Sequence, residues 1–205
     1  MAKMSALDYA AGRIIAICEN RAAVCQLQID TLQKQFATVK SPPDRMAYFG
    51  EQPDLHVHVE GFLAGIKSLL DLLVQLLSTE RVVGNAIDGF HRHGKEYGGR
   101  VLNQLTEKNA CKYRWATADR IGRYLRNQKS VWIDRAVGAR DVLVHPTRGM
   151  WQLMFEFELG EKDGRLAVVG IHPPAIYEQP IDEYARQTLQ HAKSFTTGFL
   201  ELVRT

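Results

Sequence analysis

Residues 55–77 restrict the fold of this chain more than any other segment, because their apolar side chains cover most of the circumference of a helix. A helix of this kind must be enclosed, so the sequence predicts a central core helix with neighbours on several sides. Gly61 and Gly65 would let a neighbour approach closely. The apolar residues are Val59, Phe62, Leu63, Ile66, Leu69, Leu70, Leu73, Leu76 and Leu77.

Further helices are predicted before and after this segment. An apolar residue recurs every three or four positions over about residues 5–38, which predicts one long N-terminal helix. Proline and glycine residues between 40 and 54 end this helix in a loop. A more polar helix is predicted over about 83–105, and another over about 117–144, where Pro146 blocks continuation.

The pattern changes to strands near the C-terminus. WQLMFEFEL alternates apolar and polar residues and is followed by the turn sequence GEKDG, so residues 151–171 are predicted to form a β-hairpin. A closing amphipathic helix follows over about 181–204. The sequence therefore predicts a mostly α fold, in which one domain over residues 1–205 contains an antiparallel helical bundle, a C-terminal hairpin and a closing helix.

Composition is typical of a globular protein, since 45% of the 205 residues are hydrophobic and 24% are charged. No run reaches the roughly 18 to 20 apolar residues that cross a bilayer, and the first residues lack the apolar segment of a signal peptide. Three widely spaced cysteines make a poor disulfide framework. We expect a cytoplasmic protein that has no membrane partner and no cofactor.

Positive charge is concentrated in residues 112–148, which contain nine Lys or Arg against three Asp, while the whole chain has a formal net charge of +3. The segment also contains Tyr and Trp residues, and cations beside aromatic faces suit a single-stranded nucleic acid. The alternative is a solvated basic helix whose aromatic residues lie in the core. The residues predicted to contact RNA are Arg120, Arg123, Arg126, Asn127 and Arg148.

Arg140, Asp141 and His145 stand among apolar residues near the end of the predicted helix 117–144. At 100° per residue, Asp141 and His145 lie on one side, so the carboxylate can orient the imidazole ring. Arg140 is about 140° from His145 on an ideal helix, so the two converge only through side-chain reach, a distortion or a second subunit. The core stripe on the other side is Ile121, Leu125, Trp132, Ala136, Ala139 and Leu143. The polar stripe of Arg123, Asn127, Asp134, Asp141 and His145 is flanked by Val131, Ile133, Val137, Val142 and Val144, which predicts burial on both sides.

The sequence from Arg140 to His145 resembles the motif of HEPN domains, in which an Arg and a polar residue precede a His by three intervening residues. The segment 55–77, with Glu60 near its start, is similar to the long first core helix of that family. The likeness covers about residues 55–146, and the N-terminal helix, the hairpin and the closing helix resemble attachments found in larger subfamilies.

This resemblance implies a homodimer in which two motifs face each other across a cleft and cut RNA without a metal. His145 would exchange the proton of the 2′-hydroxyl and of the leaving oxygen, Arg140 would neutralise the phosphate oxygens, and Asp141 would hold the imidazole. It also implies the role of a toxin or of an antiviral defence ribonuclease, with an antitoxin or another defence component as partner.

Two alternatives stay open at this stage. Arg135, Arg140 and Asp141 form a buried ion network in the first, and His145 caps the helix C-terminus. The second alternative is a non-catalytic interaction or dimerisation protein with the same fold. The pairs His56 with His58 and His91 with His93 lack the spacing of a defined zinc site, so we predict no metal site.

Overall fold

A computed structural model describes residues 2–36, 47–144, 153–163 and 165–205. Helices dominate these residues, which confirms the prediction of a mostly α protein. The helices are α1 (Ala2–Glu19), α2 (Arg21–Val24), α3 (Gln26–Phe36), α4 (Pro53–Thr79), α5 (Gly99–Gln104), α6 (Trp115–Gln128), α7 (Asp134–Val144) and α8 (Ile181–Arg204). A 3₁₀ turn, Lys112–Arg114, precedes α6, and a π-helical turn, Lys129–Ile133, joins α6 to α7.

The strands among the described residues form one antiparallel sheet and one small hairpin. β1 (Ala47–Glu51), β2 (Met154–Lys162) and β3 (Arg165–His172) pair in that order, so β2 is central. β4 (Ala175–Ile176) and β5 (Gln179–Pro180) form the small hairpin just before α8.

The central position of α4 agrees with its apolar circumference. α4 packs against α1, α7 and α8. Its buried residues run from Leu55 to Leu77 and include Phe62, Ile66 and Leu70. By length and composition α4 is also apolar enough to cross a membrane, with 44% of its most apolar window buried. In this fold one side of α4 lies at the centre of the core, and the opposite side, which was expected to be enclosed, stays exposed.

The prediction of a single long helix over residues 5–38 is wrong, because the chain bends at Asn20 and Cys25 and forms three helices. The Asn20 side-chain amide donates a hydrogen bond to the carbonyl of Ala16 over 2.9 Å, and local bonds of this kind compete with a continuing helix. The bend lets α1 pack on α4 and α8 while α3 packs on β3. Residues 37 and 38 lie outside the described residues.

The polar helix expected over 83–105 is also wrong, because only α5, Gly99–Gln104, is helical there. The preceding loop buries Val82, Val83, Ile87 and Phe90 in the core, and the Phe90 amide donates to Asp71 Oδ1 over 2.6 Å. Gly98 has φ 67°, and a Cβ there would lie 2.2 Å from the Phe90 ring. The positive φ of Gly98 and the burial of the loop's apolar residues therefore favour a packed loop over the expected helix.

The helix expected over 117–144 forms, but the π-helical turn interrupts it. Val131 is 48% exposed, so burial on both sides of the polar stripe is wrong at this position. Ile133 and Val137 are buried as expected, and Leu143 is half-buried. The rest of the expected core stripe is confirmed as buried, namely Ile121, Leu125, Trp132, Ala136 and Ala139.

The C-terminal hairpin and closing helix are confirmed as β2, β3 and α8, while residues 151 and 152 lie outside the described residues. Phe155, Phe157 and Leu159 are buried on alternate positions of β2. β1 falls in the expected loop 40–54 and was missed. Gly50 of β1 pairs with Phe155 of β2. A Cβ on Gly50 would lie 2.5 Å from the Phe157 ring, so the pairing of β1 with β2 depends on a glycine at this position.

Candidate active site

α7 presents Arg140 and Asp141 at the edge of the core. Its buried face contains Ala136, Val137 and Ala139, and the helix packs on α4. Arg140 and Asp141 lie on the half-buried side, with side chains 31% and 16% exposed. The two polar groups are thus held by a rigid helix while part of each remains in contact with solvent.

Asp141 joins Arg140 to the loop before α5. Arg140 Nη1 donates to Asp141 Oδ1 over 3.1 Å, and the Tyr97 hydroxyl donates to Oδ2 over 3.2 Å. Arg140 Nε is buried, and no acceptor for it exists among the described residues. Asp141 therefore orients the Arg140 guanidinium and leaves part of its donor capacity for another group.

Tyr97 is fixed from two further directions. The Arg92 guanidinium lies 4.3 Å from the centroid of the Tyr97 ring. The Tyr97 backbone carbonyl accepts a hydrogen bond from Lys129 Nζ, which also contacts Asp134 Oδ1 at 2.8 Å. Burial and the Asp141 carboxylate raise the pKa of Tyr97, and Arg92 opposes them. The phenol therefore keeps its proton at neutral pH and acts as a donor.

Tyr177 approaches the same face of α7 from the turn between β4 and β5. The Arg135 guanidinium lies 5.3 Å from its ring centroid. A Cβ on Gly138 would lie 2.9 Å from the Tyr177 hydroxyl and 3.9 Å from that of Tyr97, so both hydroxyls lie beside Gly138. Burial raises the pKa of Tyr177; Arg135 lowers it and Asp141 raises it.

His145 and Arg148 lie outside the described residues. The hypothesis that Asp141 orients His145 therefore stays a prediction, and the described partners of Asp141 are Arg140 and Tyr97. The predicted buried ion network of Arg135, Arg140 and Asp141 is wrong for Arg135. Arg135 is exposed and stacks on Tyr177, so only Arg140 belongs to an ion pair with Asp141 in the part of the chain that the structure describes.

The other residues predicted to contact RNA lie exposed on α6. Arg120 Nη2 donates to Thr205 Oγ1 over 3.1 Å at the end of α8. Arg123 pairs with Asp119 over 2.7 Å. Arg126 and Asn127 are in the last turn of α6, before the π-helical turn. These side chains are available to a ligand, and their role in RNA binding stays a prediction.

The histidines in the described ranges do not lie in a cluster of metal ligands. In those ranges, no group of three or more His, Cys, Asp or Glu residues is placed to hold an ion. His58 packs edge-on against Tyr9, with ring centroids 6.0 Å apart, and His91 Nε2 lies 3.5 Å from Asp88 Oδ1.

Tyr97, Tyr177 and Lys129 are site residues that the sequence patterns did not single out. Tyr97 and Asp141 are 44 positions apart in the chain, and Tyr177 reaches α7 through a two-residue hairpin that has no turn signature. Lys129 is buried and pairs with Asp134, but the sequence shows only a Lys and an Asp five positions apart, which is no signal of burial. Comparison with models of protein families, with characterised proteins and with solved structures finds no match. Function is therefore inferred from the residues of this chain.

Proposed function

We propose that this protein is a metal-independent endoribonuclease of HEPN type that acts as a homodimer. The observation that carries the proposal is the arrangement of Arg140, Asp141 and Tyr97. A partly exposed guanidinium, oriented by a hydrogen-bonded carboxylate, stands on α7 five residues before His145. An arginine fixed in this way suits the charge that develops on a phosphate during transfer.

The chemistry needs only groups of this chain. His145 takes the proton of a ribose 2′-hydroxyl, whose oxygen forms a bond to the adjacent phosphorus. The bond from phosphorus to the 5′-oxygen breaks, and an imidazolium of the dimer gives that oxygen its proton. Arg140 neutralises the phosphate oxygens meanwhile. The products are a 2′,3′-cyclic phosphate and a 5′-hydroxyl, and DNA is not cut because it lacks the nucleophile.

In this proposal the enzyme works in the cytoplasm as a toxin or as a defence ribonuclease. An antitoxin or another defence protein would then control it. Single-stranded RNA is the substrate, and Arg120, Arg123, Arg126 and Asn127 on α6, together with Arg148, supply further phosphate contacts.

Replacement of Arg140 or His145 by alanine tests the proposal. Each change removes a transition-state contact and should lower RNA cleavage at least about 100-fold while the dimer persists. Asp141→Asn and Tyr97→Phe should each be milder, because they disturb the orientation of Arg140 and leave it in place. Arg13→Ala is the matched control, since Arg13 is exposed on α1. Cleavage should persist in a chelator and give cyclic phosphate ends.

The second candidate is a non-catalytic dimerisation protein. A stripe of apolar and small residues on the outer face of α4 favours it, because such faces bind other proteins. The stripe consists of Val57, Gly61, Ala64, Ser68 and Leu72. Wild-type protein that cuts no RNA, together with a His145→Ala variant that differs only in melting temperature, would establish this candidate over the ribonuclease.

A further inference from the structure

Two tyrosine and arginine stacks stand beside the Arg140 and Asp141 pair. Arg92 lies over Tyr97 and Arg135 lies over Tyr177, at 4.3 and 5.3 Å from the ring centroids. The hydroxyls of both tyrosines lie beside Gly138 of α7. Both arginines are exposed, so this surface combines positive charge with aromatic rings.

The Tyr177 backbone is held in an unfavourable conformation. Tyr177 and Glu178 have φ 51° and 65°, and left-handed conformations disfavour residues that carry a Cβ. Two-residue hairpin turns of this type usually contain Asn and Gly. The turn is fixed by the pairing of Ile176 with Gln179 and by the bond from the Ile181 amide to the Pro174 carbonyl. Strained residues that their surroundings hold in place concentrate at binding and catalytic sites.

Gly138 is the position on α7 that admits Tyr177. Any Cβ there would come within 2.9 Å of the Tyr177 hydroxyl, so the tyrosine would have to shift. Glycine lowers the stability of a helix interior, and its presence here allows the close approach. The turn and the glycine thus place Tyr177, which is still 41% exposed, on the face of α7 that carries Arg135 and Asp141.

The chemistry of this surface fits an unpaired nucleotide. Rings of Tyr stack on any base, and neighbouring Arg side chains neutralise phosphates, which is the combination that binds single strands. Asp141 is already paired with Arg140 and Tyr97, so its charge does not oppose a phosphate strongly. Arg92 and Arg135 approach the site from the loop before α5 and from α7.

We propose that Tyr177 stacks on one unpaired base of single-stranded RNA, and that Arg135 and Arg92 bind the phosphates on either side of it. This subsite rests on the proposed ribonuclease function, because it binds the RNA on the face of α7 where Asp141 holds Arg140. Tyr97 is a positioning residue in this arrangement, since its hydroxyl holds Asp141.

Binding is measured with a fluorescein-labelled, 12-nucleotide single-stranded RNA that carries 2′-O-methyl groups throughout and cannot be cut. Tyr177→Ala should raise its Kd about tenfold, which is typical of the loss of one base stack. Arg135→Gln should raise Kd several-fold and make the dependence on salt less steep, because one phosphate contact is lost. Tyr9→Ala and Arg13→Gln are the matched controls, since Tyr9 is 66% exposed and Arg13 is exposed, both on α1.

Gly138→Ala separates the subsite from folding. Alanine favours the helix, so the melting temperature should stay the same or rise, while the displaced Tyr177 should raise Kd several-fold. Gly12→Ala is the control, because a Cβ there meets no atom within 4 Å. In cleavage assays with unmodified RNA, Tyr177→Ala should raise KM more than it lowers kcat.

Unchanged Kd values for both Tyr177→Ala and Gly138→Ala would overturn the subsite, even if the wild type cuts RNA. Wild-type protein that does not bind the oligonucleotide at low salt would overturn it as well. Binding that depends on Tyr177 without any cleavage of unmodified RNA would support the subsite and refute the ribonuclease. The two proposals therefore fail separately.

Discussion

Asp141 receives one hydrogen bond on each carboxylate oxygen, from Arg140 and from Tyr97. An oxygen of a carboxylate can accept a second bond, so a contact with His145 remains compatible with this arrangement. The described contacts give Asp141 a clear present role, which is to orient Arg140. Loss of the Tyr97 hydroxyl should therefore disturb the orientation of the Arg140 guanidinium more than it disturbs the packing of the Tyr97 ring.

Cys18 gives a residue-scale prediction about pH. Burial, reinforced by the Asp182 carboxylate, raises the pKa of its thiol from 9.0 to about 12. Because the folded pKa exceeds the unfolded one, the neutral thiol's contribution is complete below pH 9 and is lost as pH rises toward 12. The free energy of unfolding in urea should therefore fall between pH 9 and pH 10.5, and the fall should be shallower in Cys18→Ala.

Cys111→Ala is the control for this measurement, since Cys111 is only half-buried. It should keep the wild-type dependence on pH. Parallel curves for wild type and Cys18→Ala would contradict the assignment. Cys25 and Tyr184 also have pKa values raised by burial, so part of the fall should remain in the variant.

Sequence patterns located Arg140 and Asp141, because charged residues in an apolar helix are unusual at any position. They could not locate Tyr97 or Tyr177, whose proximity to α7 comes from tertiary packing. The strained turn at Tyr177 also contradicts local preference, since Asn and Gly are the residues that such turns favour.

At the scale of elements, long and strongly apolar segments were predictable and the connections were not. α4, α8, β2 and β3 follow from periodicity alone. The loop before α5 contains apolar residues at helical spacing, but its glycines at positive φ and the Asp71 contact to Phe90 favour a packed loop. β1 lies close to prolines and has a partner that is distant in sequence, so its short pattern gave no signal.

The π-helical turn gives an element-scale prediction. Lys129 and Asp134 are five residues apart and pair over 2.8 Å, a spacing that an α-helix would rotate by about 140°. Deletion of the exposed Ser130 should convert the turn to α-helix. Lys129 and Asp134 would then be four residues apart and could still pair, but α6 and α7 would rotate by about 100° relative to each other, which breaks the contact of the buried Lys129 with the Tyr97 carbonyl. We expect unfolding to require about 1–3 kcal/mol less, measured by urea denaturation.

Ser130→Ala is the control, because it removes only a hydroxyl that donates to the Asn127 carbonyl over 2.8 Å. Circular dichroism should show that both variants remain helical. RNA cleavage should fall in the deletion variant alone, since Lys129 also binds the Tyr97 carbonyl. A deletion variant as stable as the wild type would show that the contact of Lys129 with the Tyr97 carbonyl contributes little.

At the scale of the whole molecule, α4 has two different faces. One face is buried against α1, α7 and α8. The other contains the stripe Val57, Gly61, Ala64, Ser68 and Leu72, where Val57 and Leu72 are 65% and 45% exposed. These positions fall within about 80° of each other on a helix. Small residues in the middle of the stripe would let a second helix approach closely, so we predict that a second copy of the chain binds this face.

The homodimer can be tested at this face. Wild-type protein should sediment with twice the mass of the monomer at micromolar concentration. Ala64→Arg should produce a monomer that keeps its fold, because position 64 is exposed and the arginine would put an unpaired charge at the centre of the interface. Ala116→Arg, on the exposed side of α6, is the matched control and should remain dimeric. Wild type that is monomeric at this concentration would refute the dimer. A dimer that survives Ala64→Arg would place the interface elsewhere. Because α7 packs on the opposite, buried face of α4, a dimer through this stripe supports the non-catalytic candidate. RNA cleavage should then survive Ala64→Arg, and a ribonuclease dimer that joins two Arg140 motifs would need another interface.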